Sequence, residues 1–122
     1  MKAIIEVRQL GQTFNDARRR LAGNLRRQQE ADYHLSYESA RHLCSELTPA
    51  RMDVLRTLRA TGATSVKALA AAAGRNYSNV HTDVDRLIFL GLVERRPDGA
   101  VCVPFDEIDI RVLDAQPQAL AA

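Results

Sequence analysis

The sequence predicts an α+β fold, because β-strand patterns near both ends of the chain flank a series of capped helices that is followed by a β-hairpin. The chain has 122 residues, of which 46% are hydrophobic and 26% are charged. This length is enough for one compact core with short additions. We expect three segments: an N-terminal strand-helix-strand-helix extension over residues 1–47, a central domain over residues 48–105, and a C-terminal strand and tail over residues 106–122.

Composition and residue spacing exclude several classes of protein. No apolar run approaches the ~18 consecutive residues of a membrane span, and Glu6 interrupts the apolar start of the chain where a signal peptide would continue. Cys44 and Cys102 lack the spacing of metal ligands, and the three histidines belong to different segments. We therefore expect a cytoplasmic protein with reduced, partly buried thiols, no metal, no cofactor and no enzymatic site.

The N-terminal extension contains two strand patterns and two helix patterns. Residues 3–8 and residues 33–37 alternate in the manner of short strands. Residues 14–28 place apolar side chains on one helical face and arginines on the other, so the basic residues 18–27 either remain solvated or contact a DNA backbone or an acidic partner. Ser39 is suited to cap the second helix, which contains Leu43, Cys44 and Leu47.

Two helices open the central domain, and each begins at a capping residue. Thr48 precedes Pro49, a residue favoured at the first position of a helix. This helix extends to about residue 60 and is expected to bury Met52, Leu55 and Leu58. Ser65 caps a second helix over residues 66–73, which ends at a glycine. Its packing face consists of Val66, Leu69, Ala70 and Ala73.

A third helix begins after a short turn and extends from the capping residue Asn76 to about residue 90. Two helices joined by a glycine-containing turn predict a helix-turn-helix. The face expected to pack inward consists of Tyr77, Val80, Val84, Leu87 and Ile88. The outward face has short polar groups near its start and an arginine farther along: Ser78, Asn79, Thr82, Asp85 and Arg86. This order is typical of a recognition helix, whose first residues contact base edges in the major groove. Phe89 also points outward, without an assigned role.

A hairpin follows the third helix, with strands over residues 92–96 and 100–103 and a Pro-Asp-Gly turn between them. A hairpin after a recognition helix is a wing, and Arg95 and Arg96 lie at its tip, within reach of phosphates or a narrow minor groove. The net charge of +2 does not by itself predict nucleic-acid binding, whereas this order of elements does. The predicted DNA-binding residues are Arg75, Tyr77, Ser78, Asn79, Thr82, Arg86, Arg95 and Arg96.

Four motifs extend this interpretation: LTPAR at residues 47–51, LA at 69–70 with GRNYSNVHTDV at 74–84, LGLVE at 90–94, and VPFDEI at 103–108. They resemble MarR-like winged helix-turn-helix regulators, and more closely the short prokaryotic regulators found as antitoxins of type II toxin-antitoxin pairs. The resemblance implies a repressor that binds double-stranded DNA as a homodimer and has a cognate toxin as a further partner. The chain departs from the commoner pattern in its four alanines at residues 70–73, where a longer charged side chain would often contact phosphate.

The C-terminal segment alternates over residues 107–112 and is expected to form a half-buried strand. The strand that covers it is expected to be the N-terminal strand, from the same chain or from a neighbour, and we prefer a dimer built from these terminal elements. The last residues, 115–122, are expected to be disordered.

A second function stays open on sequence alone, that of a winged-helix module that binds protein without specific DNA binding. Asp83 and Asp85, two acidic residues on the third helix, favour it. Asp85 would lie among phosphates unless Arg86 or Arg75 offsets its charge.

Overall fold

The computed structural model describes residues 1–8 and 32–113. Within them the chain is a mixed α+β protein with four helices and five strands, which confirms the predicted class. The expected helix over residues 14–28 and the expected disorder over residues 115–122 lie outside the described residues. The elements in chain order are β1 (Lys2–Val7), β2 (Tyr33–Tyr37), α1 (Ala40–Glu46), α2 (Pro49–Thr61), α3 (Val66–Ala73), α4 (Tyr77–Phe89), β3 (Glu94–Arg95), β4 (Val101–Cys102) and β5 (Glu107–Arg111).

The chain divides into two compact units, which we call the terminal unit and the central unit. The terminal unit comprises Met1–Glu46 and Asp106–Ala122, and the central unit comprises Leu47–Phe105. The described residues before and after the central unit therefore belong to one unit. No helix in the described part of the chain is long and apolar enough to cross a membrane.

The terminal unit contains a three-stranded parallel sheet in the order β2-β1-β5. Its central strand, β1, places Ile5 beside Leu35 of β2 and Ile110 of β5. The strand that covers β5 therefore comes from the same chain. The face that carries Ala3 and Ile5 is apolar, and both side chains are fully buried. Helix α1 lies against β1 and β2 and contributes the buried Leu43, whereas Cys44, expected to be partly buried, is exposed because it is one helical step away.

Glu6 is the buried charged residue of β1. It is only 5% exposed, and its carboxylate lies 2.8 Å from Arg8 Nε, 3.7 Å from His34 Nδ1 and 3.8 Å from Arg111 Nη1. Burial by itself raises the pKa of Glu6. The hydrogen bond from Arg8 and the charges of Arg8, His34 and Arg111 outweigh this effect and hold the pKa below its ordinary value. The second face of the sheet thus carries a group of ion pairs beside the buried Ile4.

Each helix of the central unit begins at the predicted cap. Thr48 Oγ1 accepts from the backbone N–H of Arg51 at 3.2 Å, and Ser65 Oγ accepts from that of Ala68 at 3.1 Å. Asn76 Oδ1 accepts from the N–H of Ser78 at 2.8 Å. Such caps satisfy N–H groups that have no partner within the helix. Sequence therefore located all three helix starts.

Two predicted core positions of the central unit are wrong. The buried residues of α2 are Val54, Leu55 and Leu58, whereas Met52 is half-buried because it lies on the flank of that helix. Tyr77, expected to point inward, is 51% exposed. It is the first residue of α4, and because helical side chains lean toward the N-terminus its ring extends past the end of the core. Ala73 and Ile88 are half-buried.

The two strands of the hairpin are shorter than the sequence pattern predicts. Only Glu94–Arg95 and Val101–Cys102 pair, with a further bridge from Thr64 to Val101. Leu92 and Val93 were expected in the first strand, but their N–H groups donate to the carbonyl of Leu87 and close the end of α4. The turn is tight, because the N–H of Gly99 donates to Arg96 at 2.9 Å and Gly99 adopts a φ of 90° that favours glycine.

Candidate nucleic-acid interface

The exposed face of α4 is a continuous line on the side opposite the core. Val80, Val84 and Leu87 are fully buried and define the core side of the helix. The side chains on the opposite side are spaced four, three and four residues apart. They belong to Ser78, Thr82, Asp85 and Phe89, all of which are exposed. The line therefore begins with small hydroxyl groups and ends with an aromatic ring.

The two hydroxyl groups on this line both donate within the chain. Ser78 Oγ donates to Asn76 Oδ1 at 2.8 Å, and Thr82 Oγ1 donates to the carbonyl of Ser78 at 3.0 Å. A hydroxyl oxygen that donates internally keeps its lone pairs available as acceptors. In this arrangement Ser78 and Thr82 present hydrogen-bond acceptors to an approaching ligand.

Asn79 lies on the flank of the exposed face. Its backbone N–H donates to Asn76 Oδ1 at 3.4 Å, and its amide side chain is exposed. Within residues 1–8 and 32–113, no group is bonded to that side-chain amide. Asn79 therefore has both an amide donor and an amide acceptor available, the pair of groups that can bind an adenine edge in two places.

Two side chains lie close to Asp85. His81 Nδ1 lies 3.2 Å from one carboxylate oxygen, and Arg95 Nη2 of the hairpin lies 3.7 Å from the other. The cation beside Asp85 is therefore Arg95. Arg86 lies over the ring of Phe89, with 4.6 Å from its guanidinium carbon to the ring centroid, and Arg75 binds Asp83.

The two hairpin arginines have different surroundings. Arg95 in β3 is directed to Asp85 of α4, whereas Arg96 follows the strand and its backbone closes the turn by donating to the carbonyl of Ala100 at 2.7 Å. Among the described residues, none forms an ion pair with the side chain of Arg96. The structure therefore places Arg95 beside the exposed face of α4 and leaves the charge of Arg96 at the turn.

Asp83 lies on the inner side of α4, contrary to its interpretation as a surface acid. It is 9% exposed, and it accepts from Arg51 Nε at 3.2 Å and from Arg75 Nη1 at 2.9 Å. A signal in the sequence was available, because Asp83 stands three residues after Val80 and four before Leu87, on the buried face. Arg75, predicted to contact DNA, is thus also bound to an internal carboxylate.

The eight predicted site residues are therefore distributed over three places. The exposed face of α4 and its flanks hold Ser78, Asn79, Thr82 and Arg86, together with Tyr77, whose ring centroid is 5.7 Å from that of His81. The hairpin holds Arg95 and Arg96, with Arg95 beside the exposed face. Arg75 lies in the turn between α3 and α4.

The chain matches the HVO_A0114 family over residues 46–110 and belongs to that family. The match spans the whole central unit and continues into β5. No curated protein and no solved structure matches the chain.

Proposed function

We propose that the central unit is a winged helix-turn-helix domain that binds double-stranded DNA. In this proposal α3 and α4 are the helix-turn-helix, α4 enters the major groove, and the β3–β4 hairpin is the wing. Support comes from the order of the elements, from the glycine turn between α3 and α4, and from the bridge between Thr64 and Val101 that joins the hairpin to the segment before α3.

The observation that carries the proposal is the contact between Asp85 and Arg95. It brings a cation of the hairpin next to a helical face of short polar side chains. A DNA-binding surface needs both kinds of group, because cations bind phosphates and small polar groups bind base edges. On this surface Asn79 is suited to adenine, and the acceptors of Ser78 and Thr82 are suited to the amino groups of adenine or cytosine.

The regulator we propose is a cytoplasmic repressor that acts as a homodimer on two half-sites. The outer edge of β5 supports a dimer, because among the described strands β5 is the last in the order β2-β1-β5. If two copies of β5 pair in antiparallel fashion about Asp109, Glu107 lies opposite Arg111 of the partner subunit, twice. Ile108 then lies opposite Ile110 of the partner subunit. Asp109 would meet its own copy, but Arg111 of the same chain offsets its charge at 2.8 Å.

An antitoxin role is the more specific form of this proposal, with a small toxin protein as partner. Its support is the resemblance of the motifs at residues 47–51 and 74–84 to antitoxin regulators. Expression of the adjacent small reading frame with and without this chain tests it. Growth arrest that this chain relieves would support the role, and an adjacent frame that is harmless alone would contradict it.

A protein-binding module is the second candidate, and Phe89 favours it, because this residue is 74% exposed at the end of α4. The acidic residues no longer favour it, since Asp83 is buried and Asp85 is offset by Arg95. The substitution Phe89→Ser separates the two candidates. Loss of a protein partner in this variant, together with no sequence-specific DNA binding by the unmodified protein, would favour the second candidate.

Selection from a random pool of duplex DNA at fixed salt is the experiment that tests the proposed function. We expect enrichment of an inverted repeat, with log affinity for the enriched site falling linearly against log salt concentration as phosphate contacts require. The control is the same selection with Asn79→Ala and Thr82→Ala combined. A pool that shows no enrichment with the unmodified protein would contradict sequence-specific binding.

A further inference from the structure

A buried ion cluster joins three elements of the central unit. Asp83 of α4 accepts from Arg51 in the first turn of α2 through Oδ1, at 3.2 Å. Its other oxygen, Oδ2, accepts from Arg75 in the turn before α4, at 2.9 Å. A single carboxylate thus binds two guanidinium groups, and the cluster has a net positive charge.

Packing alone does not explain why an acid occupies this position. Removing charges from water is costly, and a well-packed apolar residue often stabilises a core as well as a buried ion pair does. The neighbours of Asp83 on the same face, Val80 and Leu87, show that apolar side chains fit here. The ion cluster differs from apolar packing in that it orients side chains, because each hydrogen bond fixes the direction of one guanidinium group.

Arg75 is the member of the cluster that solvent reaches. Its side chain is 28% exposed, compared with 19% for Arg51. Arg75 Nη1 is committed to Asp83, and in the described part of the chain no other acceptor takes its remaining N–H groups. A guanidinium fixed on one side and open on the other is suited to binding a phosphate oxygen, which accepts such hydrogen bonds strongly.

We propose that Asp83 is a positioning residue that holds Arg75 in place for a DNA phosphate beside the start of α4. This inference rests on the proposed function, because it assigns one phosphate contact of the same interface. Asp83 itself does not touch DNA. It fixes the side chain of Arg75 before binding, so that less conformational freedom is lost when the contact forms.

The test compares Asp83→Asn, Arg75→Gln and the double variant with the unmodified protein. The matched control is Asp53→Asn, which makes the same chemical change in an exposed ion pair, with 3.8 Å between Asp53 and Arg56. Denaturant unfolding first establishes the conditions under which each variant is folded. Affinity for the selected DNA site is then measured over a series of salt concentrations, because the slope counts phosphate contacts and does not respond to fold stability.

We expect Arg75→Gln to make the slope of log affinity against log salt shallower by about 0.9, the value of one phosphate contact. Asp83→Asn leaves the charge of Arg75 in place, so we expect it to keep the slope and to lower affinity about two- to tenfold at every salt concentration, the cost of ordering one long side chain. In the double variant Asp83→Asn should cause no further loss, and Asp53→Asn should leave both slope and affinity unchanged. Folded Asp83→Asn that binds with the affinity of the unmodified protein, or a further loss in the double variant, would overturn the proposal. If Asp83→Asn does not fold, Arg75→Gln still tests the proposal. An unchanged slope in that variant would show that Arg75 does not contact a phosphate, and would overturn the proposal. Unmodified protein that binds no DNA would instead overturn the proposed function itself.

Discussion

The hairpin arginines Arg95 and Arg96 should differ in their contribution to DNA binding, although they are adjacent and chemically identical. In the proposed complex Arg96→Ala removes one phosphate contact, and no described residue loses an ion pair by this change. Arg95→Ala removes a cation and also leaves Asp85 without the neighbour that lies 3.7 Å away. We therefore expect Arg95→Ala to lose more affinity than Arg96→Ala.

The size of the difference follows from the charge of Asp85. An uncompensated carboxylate roughly 8 Å from a phosphate, at an effective dielectric constant of about 40, is repelled by about 1 kcal/mol. The Asp85–Arg95 pair is half-exposed, so its own contribution to folding is small, about 0.2–1 kcal/mol. Arg95→Ala should thus bind DNA about fivefold more weakly than Arg96→Ala, and adding Asp85→Asn to Arg95→Ala should recover about that factor.

Fluorescence anisotropy with a labelled duplex measures these affinities at fixed salt. The control is Arg56→Ala with Asp53→Asn, an exposed pair at a similar distance, 3.8 Å, on α2. The difference between the two hairpin variants should shrink as salt is raised, because exposed charges are screened. Equal losses for Arg95→Ala and Arg96→Ala, with no recovery on Asp85→Asn, would refute the claim that Asp85 lies near the DNA backbone.

Three further predictions follow from the described contacts. Because folding lowers the pKa of Glu6, its ion pairs stabilise the protein at pH values above the ordinary pKa near 4.5, and this stability is lost as the pH falls below that value. In urea unfolding, the free energy of unfolding should decrease more between pH 7 and pH 4 for the unmodified chain than for Glu6→Gln, and equal decreases would contradict this role of Glu6. Leu87→Ala, at a fully buried position, should lower the free energy of unfolding by about 2–5 kcal/mol, and a loss under about 0.5 kcal/mol would mean that the site is not packed as described. In sedimentation, Glu107→Arg and Arg111→Glu should each be monomeric alone and form a dimer when mixed, because only the mixed pair restores opposite charges across β5; variants that stay dimeric alone would exclude this edge.

Local features of the fold could be predicted from the sequence. The three helix starts at Thr48, Ser65 and Asn76 depend on hydrogen bonds to residues two or three positions away, and a capping residue is visible in any short window. The turn of the hairpin is likewise encoded by adjacent residues, with Pro97 and Gly99 at fixed places.

Long-range features were predicted less completely. The N-terminal strand was expected to cover β5, from the same chain or from a neighbour, and the structure pairs β5 with β1 of the same chain, with Lys2 beside Glu107. Alternation identifies a strand but fixes neither the chain nor the register of its neighbour. The buried position of Asp83 was not predicted, because its partner Arg51 is 32 residues away.

The contacts of Asp85 and Arg86 were also not evident from the sequence. Sequence placed Arg86 next to Asp85 on the helix, but adjacent helical residues point about 100° apart and do not face each other. The cation that does reach Asp85 comes from the hairpin, and the ring of Phe89 receives Arg86 instead. Candidate residues were therefore better predicted than the contacts between them.

The central claim, that the exposed face of α4 contacts bases, is tested most directly by the specificity of Asn79→Ala. The measured quantity is the ratio of affinities for the selected site and for unrelated duplex DNA, at one salt concentration. We expect this ratio to fall about 5- to 150-fold, the equivalent of about 1–3 kcal/mol, while affinity for unrelated DNA stays unchanged because phosphate contacts remain. A ratio equal to that of the unmodified protein would contradict the assignment of this face.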